Sequence, residues 1–167
     1  MRRSSEFRVS SSVFVGGRAQ VRTKGRADKL KPETRNSKLG TLSWAEVQRT
    51  HRIRNGVYQR RGRLVSLLTD FGRINPCYPD RHADDDADTI IYTGAGRHGD
   101  QHLTPANRAL LAAIETGHAV PLFNKLGVGR WQHMGHWRVV AARHEFDEHA
   151  QRMLWRFTLK RDAAQAV

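Results

Sequence analysis

Thr89-Ile-Ile-Tyr-Thr93, Gly94-Ala-Gly96-Arg-His-Gly99, Asp100-Gln-His-Leu103 and Thr104-Pro-Ala-Asn-Arg-Ala-Leu110 follow one another in mid-chain, and their order decides the fold. The β-branched and aromatic run over 89–93 predicts a strand. Thr104-Pro105 predicts a helix start, with a hydroxyl cap and a proline in the first turn, where its missing N–H costs nothing. Gly117 predicts the stop, and Leu110, Leu111 and Ile114 fall on the face to be buried. The glycines between strand and helix match G-x-G-x-x-G, the dinucleotide fingerprint. That use requires the helix to begin in the loop itself and a second parallel strand to end in an acid about 20 residues on. Here the helix begins only at Pro105 and no such strand follows, so no cofactor is expected. A glycine turn that lets backbone approach another chain or a DNA phosphate closely is the better reading.

Working outward, strands are predicted over Val120–Phe123, Gly135–Ala141 and Met153–Leu159, with turns at Gly127–Gly129 and Asp147–His149. Toward the N-terminus, Ser43-Trp-Ala-Glu46 has capping-box spacing and predicts a helix of about ten residues ending at Asn55-Gly56. Val57–Tyr58 and Arg63–Leu68 read as strands. Residues 70–88, with Gly72, two prolines and Asp84-Asp85-Asp86, read as one long loop. The class is therefore α+β: a mixed, largely antiparallel sheet or open barrel flanked by two helices.

Composition points to a polyanion. The 167 residues hold 29 Lys+Arg against 16 Asp+Glu, a formal charge of +13. Residues 1–40 carry eleven Lys/Arg and only Glu6, Asp28 and Glu33, so +8 of the excess lies there and +5 in the remainder. This Ser/Arg/Gly-rich stretch reads as a basic, disordered arm before a domain over 41–163, with 164–167 a short tail. The same composition also fits an organellar transit peptide. No apolar run approaches the roughly 18 residues of a membrane span, so no membrane partner is expected. One cysteine, Cys77, leaves no internal disulfide. The histidines lack zinc spacing, no catalytic triad stands out, and the acidic cluster reads as a solvated turn, so neither metal nor catalytic residue is assigned. Arg49, Arg52, Arg54, Arg60, Arg61 and Arg63 form a run with no acid between Glu46 and Asp70. Arg52, Arg54, Arg60, Arg61 and Arg63, joined by Arg97 in the glycine loop, are the candidate contacts to a nucleic-acid backbone.

Ile91-Tyr-Thr-Gly-Ala-Gly96, Gly99-Asp-Gln101 and Leu103-Thr-Pro-Ala-Asn-Arg-Ala-Leu110 together resemble the central signature of the SET- and RING-associated (SRA, or YDG) domain. Val120-Pro-Leu-Phe123, Gly135-His-Trp-Arg-Val-Val140 and Leu154-Trp-Arg-Phe-Thr-Leu-Lys-Arg161 are similar to its later strands. The resemblance runs from about Gly56 to Arg161. It makes Gly94, Gly96, Asp100, Gln101, Asn107 and Gly135 residues of a structural motif. It implies a PUA-like barrel that extrudes 5-methylcytosine or 5-hydroxymethylcytosine from duplex DNA, an event that needs flat side chains on both faces of the base and a polar group on its edge. By position, Tyr78 and Tyr92 are the expected sandwich, Asp80 the acceptor for the cytosine N4 amine, and Thr93 a further contact to the base edge.

Two departures bear on function. The name-giving Tyr-Asp-Gly stands here as His133-Met134-Gly135, and only three residues separate Gly96 from Asp100, where eukaryotic members carry a long finger loop. The compact form is closest to the SRA-like domains of bacterial modification-dependent restriction endonucleases. The expected function is a modified-cytosine sensor, itself without catalysis, with double-stranded modified DNA as partner, a nuclease as possible second partner, and the bacterial cytoplasm and nucleoid as its place; an organelle or nucleus stays open. The alternatives are the targeting fragment of such a nuclease and a PUA-like RNA-binding module.

Overall fold

The computed structural model describes residues 40–165, so the arm expected over 1–40 lies almost wholly outside the described residues. Strands β1 (Thr41–Leu42), β2 (Val57–Arg60), β3 (Arg63–Thr69), β4 (Arg81–Ala83), β5 (Asp86–Thr93), β6 (Val120–Gly127), β7 (Arg130–Asp147) and β8 (Arg152–Arg161) are joined by helices α1 (Trp44–Gln48) and α2 (Pro105–Thr116). The sheet runs β2-β3-β6-β7-β8-β5-β4, with β1 paired to β7. Only β3–β6 is parallel; the other pairs are antiparallel, giving an open half-barrel. No helix among the described residues is long and apolar enough to cross a membrane.

α2 forms where expected. Thr104 Oγ1 accepts from the Asn107 N–H at 3.3 Å, and Gly117, at φ 61°, closes the helix in the left-handed conformation glycine tolerates. Leu110 and Ala113 enter the core with Leu64, Leu67, Ile90, Trp137, Phe157 and Leu159, and Leu111 and Ile114 pack half-buried against it. The helix thus touches β2, β3 and β7 together. A second, smaller cluster of Val47, Leu68, Phe123 and Trp131 seats α1 and β1 on the sheet.

Three expectations about element bounds are corrected, and one strand was not expected at all. α1 has its capping box, with Glu46 Oε2 accepting from the Ser43 N–H at 2.7 Å, but spans five residues rather than ten. Val47 is its one buried residue, and beyond it His51 is pulled fully inside: Nε2 donates to Asn55 O at 2.7 Å and Nδ1 accepts from Ser66 Oγ at 2.9 Å. That anchor outweighs continuing a helix with too little apolar face. The loop expected over 70–88 ends at Asp80; β4 and β5 form a hairpin turning at Asp84 and Asp85, the latter at φ 60°. Its strand acids answer cations on β8, Asp86 to Lys160 at 2.8 Å and Asp88 to Arg161 at 2.6 Å. β7 runs from 130 to 147, far beyond 135–141, because β8 pairs along it from Trp137 to Asp147. β1 had no signal in the sequence: two residues make a strand only because Gln132 and Trp131 lie opposite.

Candidate functional site: a cavity at one end of the half-barrel

The ends of β3 and β5, the loops that follow them and the segment before β2 surround a cavity of about 540 Å³. Tyr78, Asp80, Tyr92 and Thr93 all line it, so the four residues expected to hold a base share one space. Each is positioned differently. Tyr92, 3% exposed, donates its phenolic hydroxyl to Leu68 O at 2.9 Å and Gly56 O at 3.1 Å, and is thereby a fixed wall tying the start of β2 to the end of β3. Burial pushes its hydroxyl well above the usual range. Tyr78 is half-buried at the end of the 70–80 loop, with its amide bonded to Asn75 O.

Asp80 sits at the base of this wall. Its Oδ2 accepts from Thr69 Oγ1 and its Oδ1 from the Thr93 N–H, both at 2.7 Å. Burial dominates over these two bonds and raises the carboxyl from 3.8 to about 7. Each oxygen keeps a lone pair beyond the bonds drawn, so the group can still accept from a ligand. Thr93 Oγ1 in turn accepts from Arg156, which also pairs with Asp147.

The glycine loop is laid down on β8 by the motif residues. Gln101, 1% exposed, donates to Gly94 O at 2.7 Å and accepts from the Trp155 N–H at 2.9 Å. Asn107 accepts from the Ala95 N–H at 2.7 Å and donates to Ala95 O and His102 O. Asp100 accepts from the Met153 N–H at 2.8 Å. A Cβ on Gly94 would stand 2.7 Å from Trp155 Cβ and 2.8 Å from Asn107 Oδ1, which is why that position is glycine. Gly135 bends β7 at φ 82°. No helix grows from the glycine loop itself, which answers the dinucleotide resemblance.

The candidate backbone cations divide. Arg54 and Arg97 line the cavity. Arg52 is exposed nearby, before β2, whereas Arg60, Arg61 and Arg63 sit at the far turn of the β2–β3 hairpin. At about 3.3 Å per residue that turn is roughly 10 Å from Val57 on the cavity wall. Four residues escaped the sequence reading. Trp44 and Trp131 line the cavity with Lys125 and carry no motif. Arg152, 8% exposed, donates to Gly96 O, Gly99 O and Cys77 O, locking the glycine loop to the loop bearing Tyr78. Its only signal was a basic residue at a strand start.

Comparison with known proteins fits this geometry. The chain matches the family described as "ScoMcrA-like, SRA domain" over residues 52–162. Among solved structures, the SRA domain of SUVH5 in complex with hemi-methylated CG DNA is similar at 25% identity and a TM-score of 0.58, over 70% of this chain and 79% of that one. The same domain bound to fully hydroxymethylated CG DNA superposes with a TM-score of 0.57 at 23% identity, covering 69% and 79%. The modification-dependent TagI restriction endonuclease shares the fold at 22% identity and a TM-score of 0.60, over 73% of this chain and 48% of that one. No curated protein matches the chain.

Proposed function

The chain belongs to the ScoMcrA-like SRA domain family, and from that premise we propose that it binds double-stranded DNA by drawing a 5-modified cytosine out of the duplex into the cavity. The observation that carries this is the convergence of Tyr78, Asp80, Tyr92 and Thr93 on one space of about 540 Å³. In this reading the rings of Tyr78 and Tyr92 take the two faces of the base, Asp80 accepts from its N4 amine and Thr93 contacts its edge. Unstacking and unpairing a base costs a few kcal/mol, and stacking on an aromatic ring returns about 1–3 kcal/mol per base. The wall formed by Tyr92 is rigid before binding, so little ordering cost falls on it. Cations on the rim and hairpin, with the basic arm, hold the backbone without reading sequence. Binding of this kind supports a DNA-recognition module that is not itself an enzyme, at work in the cytoplasm on the nucleoid.

The test compares binding, at one salt concentration, to duplexes differing only in the 5-substituent of a single cytosine. The native chain should prefer 5-methylcytosine or 5-hydroxymethylcytosine over cytosine. Tyr78→Ala should remove the preference, while Tyr92→Phe should keep it and lower stability by about 1 kcal/mol through the lost hydrogen bond. Equal binding of all duplexes by the native chain would reduce it to a nonspecific basic protein. A second reading, the targeting part of a nuclease, is favoured by the TagI likeness, in which this chain covers about half of the enzyme. Cleavage of modified duplex with a divalent metal, obtained only when a separate nuclease chain is added to this one, would support it.

A further inference from the structure

Two cations on the cavity rim are held by aromatic rings rather than by carboxylates. The Arg54 guanidinium carbon lies 4.2 Å from the centroid of the Trp44 ring, and Lys125 Nζ lies 5.8 Å from that of Trp131. The two indoles pack on each other at 5.5 Å, tilted by 46°. Trp44 comes from α1, Arg54 from the segment before β2, and Lys125 and Trp131 are paired across the β6–β7 hairpin, so two separate stretches of the chain build the mouth. Elsewhere on the sheet, Arg138, Arg156, Lys160 and Arg161 each pair with an acid. Neither Arg54 nor Lys125 takes part in an ion pair among the described residues.

An aromatic face restricts a cation's rotamers without cancelling its charge, which leaves its outward donors free for an anion. Trp44 already carries Arg54 on its ring and Trp131 carries Lys125, so neither indole is a free platform for a second base. What the assembly offers is two pre-positioned positive charges around an opening. A base that enters the cavity brings its own sugar and flanking phosphates to that opening.

We propose that Arg54 and Lys125, braced on Trp44 and Trp131, bind the backbone phosphates on either side of the nucleotide whose base occupies the cavity, with the two tryptophans as positioning residues. This rests on the base-extrusion reading and goes further, since it separates cations that act only on the extruded nucleotide from those that track the duplex. Arg60, at the far turn of the hairpin, belongs to the second group.

Binding of the R54M, K125M, W44A, W44F and R60M variants to a duplex with one 5-methylcytosine and to its unmodified twin, over a series of salt concentrations, tests it. R54M and K125M should each lose roughly tenfold in affinity for the modified duplex, lower its salt slope by about one, and leave the unmodified duplex unaffected. W44A should reproduce the R54M loss with the charge still present, and W44F should recover most of it. R60M should weaken both duplexes alike. If R54M and K125M weaken both duplexes equally, or leave the modified one unchanged, the clamp is wrong; these two side chains lie on the rim, so that outcome does not depend on how W44A folds. A native chain that fails to discriminate the duplexes sinks the extrusion reading itself, whereas a native chain that discriminates beside indifferent R54M and K125M variants sinks the clamp alone.

Discussion

Two buried residues give the protein opposed responses to pH. Asp80, raised from 3.8 to about 7 by burial, binds a proton more tightly folded than unfolded. Its contribution to stability is therefore full below about pH 4 and is lost as pH rises toward 7. His51, lowered from 6.5 to about 4 by burial, contributes above pH 6.5 and loses its contribution as pH falls through 4. The slopes oppose each other between pH 4 and 6.5. In the Asp80→Asn variant only the histidine slope remains, so its melting temperature should climb from pH 4.5 to 7 more steeply than that of the native chain and exceed it at pH 8. The same variant, with an amide in place of the proposed acceptor for the N4 amine, should lose preference for modified cytosine. Thermal melts across pH and duplex binding check both. A native melting temperature that rises as steeply as the variant's would mean that Asp80 carries its charge without penalty.

At the scale of elements, the site depends on how the glycine loop is fastened to β8 and to the 70–80 loop. Gln101, Asn107 and Arg152 spend most of their polar atoms on its carbonyls and amides. A Cβ at position 94 would meet Trp155 and the Asn107 and Gln101 side chains within 3.0 Å. Gly94→Ala should therefore cost several kcal/mol, since neither the Trp155 Cβ nor the buried amides can yield without breaking hydrogen bonds. Gly129→Ala is the control: at φ 65° with open space around it, it should cost about 1 kcal/mol. Denaturant unfolding of the two variants separates packing from backbone conformation. The strand, glycine turn and helix of this element were legible because each has a local signal. Composition placed a loop here but carried it on to 88 instead of 80, and it did not show the bracing, because Arg73 reaches Asn124 and Arg152 reaches Cys77 across long stretches of chain.

For the whole molecule, charge is the quantity that scales. Of the net +13, +8 lies in residues 1–40, and counterion release makes such charge a source of affinity indifferent to sequence. Deleting residues 1–39 should lower affinity for modified and unmodified duplexes by the same factor and flatten the salt dependence of both, leaving their ratio unchanged. Titrations at several salt concentrations check this, and a changed ratio would give the arm a part in reading the base.

Hydrophobic periodicity, the two helix caps and the glycine turn are local features. They were enough to determine an α+β class with a mostly antiparallel sheet or open barrel and the bounds of α2, whereas the candidate list of Tyr78, Asp80, Tyr92 and Thr93 came from the resemblance to the SRA domain. Tertiary structure alone decided that these four line one cavity. It also halved α1 by burying His51, lengthened β7 along β8, and gathered Trp44, Arg54, Lys125 and Trp131 at the mouth. The division follows from range. A cap or a turn is settled by residues within one turn of chain, whereas a cavity wall is settled by side chains that meet only after the sheet has curled.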